Sequence, residues 1–172
     1  ILYSDNDEIP DLKLFDKYDV KNQIIIFSQK LFYYKLNLFC DEYQWLGTKG
    51  CKKKNLINFD WLRNTKSKKY PFYRVDTYFS KKKYTNIKII KNGGWHFTQL
   101  KTPTQIFDKL NNDEEHYQNK KAGIKLSDIE DFVKRKVIIY DHNAKSSDFK
   151  FGKEFKLITL DINQMPKYVQ IN

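Results

Sequence analysis

Apolar positions fall in short blocks, few of them longer than one strand or three helical turns. Residues 1–3 (Ile-Leu-Tyr) read as a strand interior, stopped by a run of carboxylates. Residues 10–17 predict a short helix, with Pro10 in its first turn and Leu12 and Phe15 three apart. The β-branched run 24–27 predicts a buried strand. Residues 31–38 predict a second strand after only three polar residues. Two glycines and a lysine run make 47–55 a loop, and 58–64, with Trp61 and Arg63, a helical turn; 66–83 is polar and aromatic with no clear period. A strand at 87–90 runs into Asn92-Gly93-Gly94-Trp95-His96. Thr102, Pro103 and Gln105 then spell a capping box, and Ile106, Phe107 and Leu110 give that helix its apolar face. Ser127-Asp128-Ile129-Glu130 repeats the capping logic, with Ile129, Phe132 and Val133 on one side; 137–140 and 155–160 close as strands. Strands and helices alternate from residue 87 onward, which predicts an α/β fold. There is no internal repeat and no low-complexity linker.

Composition fits this picture. A chain of 172 residues is one domain or a large part of one, and 40% hydrophobic with 16% aromatic residues is ample for a packed core. A mean hydropathy of −0.74 points to a solvated surface. No run approaches the roughly 18–20 apolar residues of a membrane span, and no signal peptide is visible. Because Ile1 already reads as strand interior, residues 1–172 are expected to be the C-terminal part of a longer domain. Cys40 and Cys51 are too few for a disulfide scaffold; two free thiols are the default, and a single bridge is the alternative in an oxidising compartment.

The charge is strongly basic: 32 Lys+Arg against 21 Asp+Glu, a net +11. Lysines recur at 52–54, 66–69 and 81–83, and a Lys-, Asn- and Ile-heavy composition is also what an AT-rich genome produces. A solvated basic face is therefore the simpler reading, ahead of a nucleic-acid platform on the lysines and aromatics of 66–84. A basic rim also attracts phosphorylated ligands or an anionic membrane.

Two stretches carry chemistry. In Ser4-Asp5-Asn6-Asp7-Glu8-Ile9-Pro10, three carboxylates crowd the end of an apolar run, an arrangement suited to a hard divalent cation completed by phosphate oxygens. The plainer reading is a solvated Asx turn. In Gly93-Gly94-Trp95-His96-Phe97, the glycines admit a close ligand, Trp95 offers a face for a sugar ring, and His96 can ligate a metal or bond a hydroxyl. The plainer reading there is a strand-ending turn with a buried Trp and a satisfied His.

Together these stretches resemble glycosyltransferase family 17, the β-1,4-mannosyl-glycoprotein 4-β-N-acetylglucosaminyltransferase family. Its Asp-x-Asp-Glu-Ile-Pro motif matches residues 5–10, and its Gly-Gly-Trp-His motif matches 93–96. Phe32-Tyr33-Tyr34 with Leu36-Asn37, Trp45-Leu46-Gly47-Thr48, Arg63, residues 106–110 and Met165-Pro166-Lys167-Tyr168-Val169 resemble further blocks in the same order. Thr98 stands where the family usually has Ser, and Asp113-Glu114-Glu115-His116-Tyr117 stands in place of its usual His-x-Glu.

The resemblance implies a GT-A-like α/β fold whose N-terminal half is missing, so that this portion by itself is expected to be inactive. It also implies inverting transfer of GlcNAc from UDP-GlcNAc to a glycan or glycoconjugate acceptor. Asp5 and Asp7, with Glu8 beside them, would hold Mn²⁺ or Mg²⁺ against the donor diphosphate. His96 and His142 are further metal-ligand candidates. Glu114 and Glu115 are candidate general bases. Gly93, Gly94, Trp95, His96, Thr98, Arg63 and Trp45 would bind substrate. Animal relatives sit at the Golgi membrane; in a microbe or virus the place would be cytoplasmic or membrane-associated through a missing upstream segment, with no specific nucleic-acid partner. The competing expectations are a relative that binds glycans or nucleotide sugars without turnover, and a basic nucleic-acid-binding domain.

Overall fold

Residues 24–33 are covered on both faces: all but Lys30 are buried, as expected of a central strand rather than a half-exposed one. This strand organises a computed structural model that describes residues 1–15, 24–67, 71, 73–80, 86–112, 116–145 and 147–171. In chain order the first elements are β1 (Leu2–Tyr3), β2 (Glu8–Pro10), α1 (Leu12–Phe15), β3 (Ile24–Tyr33) and β4 (Leu38–Cys51). Next come α2 (Phe59–Arg63), α3 (Asp76–Phe79), β5 (Ile87–Ile90) and β6 (Gly94–Thr98). They are followed by α4 (Pro103–Asn112), α5 (His116–Ala122), α6 (Leu126–Arg135), β7 (Val137–Tyr140), β8 (Phe151–Lys156), β9 (Ile158–Thr159) and α7 (Lys167–Ile171). The fold is mixed α/β. Two compact units form, residues 1–30 with 44–96, and residues 31–43 with 97–172.

In the first unit the strand order is β1-β4-β3-β6-β2, with β5 also on β3. Pairing of β3 with β5 is parallel, whereas β1–β4 and β2–β6 are antiparallel, so the sheet is mixed. Strand alternation sends Ile24 and Ile26 to a cluster with Cys51, Leu62 and Ile87, and Ile25 and Phe27 to one with Ile90 and Leu14. Burying each such side chain contributes about 1.5–3 kcal/mol.

In the second unit β7 and β8 form an antiparallel ribbon, and β9 pairs with the start of β4. Leu31, Tyr33, Leu38, Cys40, Tyr43, Ile138, Phe155 and Leu157 make its core. The α4 cap is as the sequence spells it: the Thr102 amide donates to Gln105 Oε1 (3.1 Å) and the Gln105 amide to Thr102 Oγ1 (3.3 Å). Both cysteines are free and buried, and burial pushes the Cys40 thiol up to about 11. Among the described residues no helix is long and apolar enough to cross a membrane.

Several local expectations are corrected. Ser28-Gln29-Lys30 is not a break: Ser28 and Gln29 are buried inside β3, where Ser28 Oγ reaches Gln44 and Gln29 Nε2 donates to Thr48 Oγ1 (3.2 Å). The turn falls instead at 34–37, where Tyr34 takes a left-handed φ of 63°. Residues 47–51 are strand, not loop, because Gly47 and Gly50 thin β4 where Glu8, Gln29 and Leu2 press against it. Pro10 ends β2 rather than starting a helix; the part of the 10–17 helix beyond residue 15 lies outside the described residues. Gly94–Thr98 is strand β6, the turn being at Lys91 and Asn92. The α6 cap is Lys125, whose amide donates to Asp128 Oδ2 (2.8 Å), so the start lies two residues before Ser127. The last strand splits at Leu157 into β8 and β9.

Candidate functional site

The acidic turn between β1 and β2 is braced from its buried side. The Glu8 amide donates to Asp5 O (3.1 Å), and Ser4 Oγ donates to Glu8 O (3.1 Å) while lying 2.6 Å from Thr48 Oγ1. Glu8, grouped by the sequence with Asp5 and Asp7, turns inward. Its side chain is 5% exposed and accepts from Trp45 Nε1 (2.7 Å), from the Asp5 amide (3.3 Å) and from Thr48 Oγ1 (3.3 Å). Burial pushes the Glu8 carboxyl up, but His96, the Trp45 indole and the Asp5 amide outweigh it and hold it below the usual glutamate range. A carboxylate so engaged fixes the turn. The two aspartates are left to face outward, each side chain 39% exposed.

Strands β2 and β6 bring the two motifs together. In their register Glu8 lies opposite His96, Ile9 opposite Trp95 and Pro10 opposite Gly94. Directly opposed residues share a sheet face, so Glu8 and His96 are on one side and Ile9 and Trp95 on the other. His96 is buried beneath Trp45, ring centroids 4.2 Å apart. Its Nε2 lies 3.8 Å from Asp7 Oδ2 and its Nδ1 3.8 Å from Glu8 Oε1. Neither distance is a hydrogen bond, and Nδ1 has no hydrogen-bond partner. The aromatic ring beside the acidic turn is thus Trp45, while Trp95 belongs to the opposite face of β6.

The glycines of the second motif have a steric cause. A Cβ on Gly94 would stand 2.1 Å from Ile9 O and 2.9 Å from Pro10 Cα, and its φ is +134°. A Cβ on Gly93 would meet Ile90 O at 2.9 Å. Gly94 thus lets β2 approach, whereas Gly93 makes room for Ile90 and the Phe27 ring; the Asp11 amide donates to Gly93 O (2.8 Å).

Arg63 comes from α2, which Asn58 caps by accepting from the Trp61 amide (2.7 Å) and which buried Leu62 anchors. Its guanidinium lies 3.7 Å from Asp5 Oδ2, and Tyr3 Oη donates to Asp5 Oδ1 (3.2 Å). Lys49 Nζ donates to the carbonyls of Arg63 and Thr65, the latter at 2.8 Å. A cavity of about 180 Å³ is lined by Tyr3, Asp5, Glu8, Trp45, Lys49 and Arg63 among others.

Asp5, Asp7, Glu8, Trp45, Arg63, Gly93, Gly94, Trp95 and His96 all belong to the first unit. Thr98 and His142 belong to the second, where His142 Nε2 lies 2.7 Å from Tyr33 Oη amid the rings of Tyr33, Tyr43 and Tyr140. Glu114 and Glu115 lie outside the described residues. Among the described residues no group of three or more His, Cys, Asp or Glu is arranged to hold a metal unaided. Sequence reading missed Ser4, Gln29 and Lys49. Lys49 directly follows Trp45-Leu46-Gly47-Thr48, but the denser lysine run at 52–54 draws the eye past it. No family model, curated protein or solved structure matches the chain.

Proposed function

We propose that the chain is a metal-dependent inverting glycosyltransferase of the family 17 type, moving GlcNAc from UDP-GlcNAc to a glycan acceptor, with a GT-A-like arrangement of its mixed sheet. One observation carries the reading. The two motifs behind the resemblance, far apart in sequence, are paired residue by residue across β2 and β6, with Glu8 opposite His96. The acidic turn follows directly on β1 and is joined to it by the Tyr3 Oη to Asp5 Oδ1 bond (3.2 Å).

The donor set fits Mn²⁺ or Mg²⁺. Asp5 and Asp7 offer two half-exposed carboxylates on a braced turn, and hard cations take remaining oxygens from phosphate and water. Held by Asp5 and Asp7, the metal would supply positive charge to offset the negative charge developing on the departing UDP. The chain's own residues do the rest. Glu8, held by Trp45, Thr48 and the Asp5 amide, fixes where the aspartates stand. His96 backs Asp7, and Arg63 sets a cation beside Asp5. Glu114 and Glu115, which lie outside the described residues, remain the candidates for deprotonating the acceptor hydroxyl.

The test is UDP release from UDP-GlcNAc by the full-length protein with Mn²⁺ and with EDTA. Release that needs the metal is the expected result. Metal-dependent UDP binding with no release would instead identify a non-catalytic nucleotide-sugar binder.

A further inference from the structure

Beside the acidic turn lies a second, larger cavity of about 480 Å³, which shares Lys49, Arg63 and Asn64 with the first and is completed by Lys66 and Ser67 among others. That size suits a small ligand, since such pockets span about 300–1,000 Å³. Among the described lining residues there are three cations and no carboxylate. Lys49 is the unusual member. Its ammonium is half-buried, and burial pulls its pKa below the ordinary lysine value, an effect that nearby Glu8 and Asp5 only partly offset. An ammonium has three donors; here two go to the Arg63 and Thr65 carbonyls. Among the described residues no carboxylate lies within ion-pair distance of it. A half-buried cation without an anion costs stability, offset here by the carbonyls of Arg63 and Thr65. Arg63 spans both cavities, 3.7 Å from Asp5 on one side and lining the basic wall on the other.

We propose that this basic cavity binds the diphosphate of a nucleotide-linked donor, with Lys49 and Arg63 as its charged contacts and Asn64 and Ser67 as neutral donors. The assignment deepens the transferase reading and rests on it only for the nucleotide nature of the donor. Charge-assisted contacts from a guanidinium and an ammonium are the strong, orienting kind for phosphate oxygens. They also explain why cations line this cavity while Asp5 and Glu8 line its neighbour. A diphosphate lying across Arg63 would meet both.

Inorganic pyrophosphate, UDP, uridine and geranyl diphosphate, titrated calorimetrically into the chain in EDTA, distinguish the sources of that chemistry. Pyrophosphate and UDP are expected to bind without metal, more weakly as salt rises from about 50 to about 300 mM, with UDP the tightest and uridine not detected. Lys49→Gln is expected to weaken pyrophosphate binding about tenfold or more. Should that variant lose folded fraction, Ser67→Asp sets an anion in the wall and leaves the Lys49 contacts in place; it is expected to abolish binding. Unchanged pyrophosphate affinity in either folded variant overturns the assignment, as does uridine binding as tightly as UDP. Geranyl diphosphate binding tighter than UDP overturns the nucleotide part. Diphosphate binding without sugar turnover by the full-length protein leaves this site standing and sinks the transferase reading; turnover with a donor KM unmoved by Lys49→Gln does the reverse.

Discussion

Gly94→Ala is expected to destabilise the chain by about 3 kcal/mol or more, a fall in Tm of about 6–12 °C for a protein of this size. Two costs add. The φ of +134° lies in a region that side-chain-bearing residues rarely enter. The new Cβ would also stand 2.1 Å from Ile9 O and 2.9 Å from Pro10 Cα, and both obstacles are backbone, which cannot swing aside as a long side chain can. Relief requires β2 to part from β6, so the change reaches Glu8 and His96 through the register that opposes them. Gly123→Ala is the internal control. Its φ is +64° and nothing lies within 4 Å of a Cβ there, so only the left-handed strain of about 1–2 kcal/mol applies. Thermal or urea unfolding of the two variants decides the matter; equal losses would mean that β2 does not press on β6 as described.

In the full-length protein Asp7→Asn is expected to lower sugar transfer by at least about a hundredfold, since a lost metal contact forfeits several kcal/mol of charge stabilisation. Stability should move by no more than about 0.5 kcal/mol, as is usual for exposed surface positions. Asp7 suits this separation because its carboxylate is 39% exposed and 3.8 Å from His96, whereas Asp5 is engaged by Tyr3 and Arg63. The paired readout is UDP release rate against Tm. An Asp7→Asn protein that releases UDP at the original rate would remove Asp7 from the metal site.

Local chemistry was legible in the sequence and distant chemistry was not. The Thr102–Gln105 cap needs only its own four residues, and both bonds form. Glu8 could not be read this way. Beside two aspartates it looks like a third metal ligand, and only Trp45 and Thr48 from β4 and His96 from β6 show that it is an internal brace. Ser28 and Gln29 read as a break because polar pairs in short segments usually mark turns; their partners Gln44 and Thr48 lie on β4. The glycines at 47 and 50 misled for the same reason, since their cause is another strand's approach and not a turn. Both motifs could be quoted from the sequence, but nothing local says that residues 8 and 96 face each other. Lys49 gives no local sign of its importance, because burial and bonding to the carbonyls of 63 and 65 are consequences of the fold.

The most direct test of the account is to locate a bound metal. Mn²⁺ with UDP, titrated into the isotopically labelled chain, broadens the NMR signals of nuclei close to it. The account expects the amides of residues 5–8 and the ring of His96 to broaden first, to recover with EDTA, and to stay sharp in Asp7→Asn. Broadening centred elsewhere in the first unit, or persisting unchanged in Asp7→Asn, would contradict the claim that the acidic turn and its partner strand form a metal-dependent donor site.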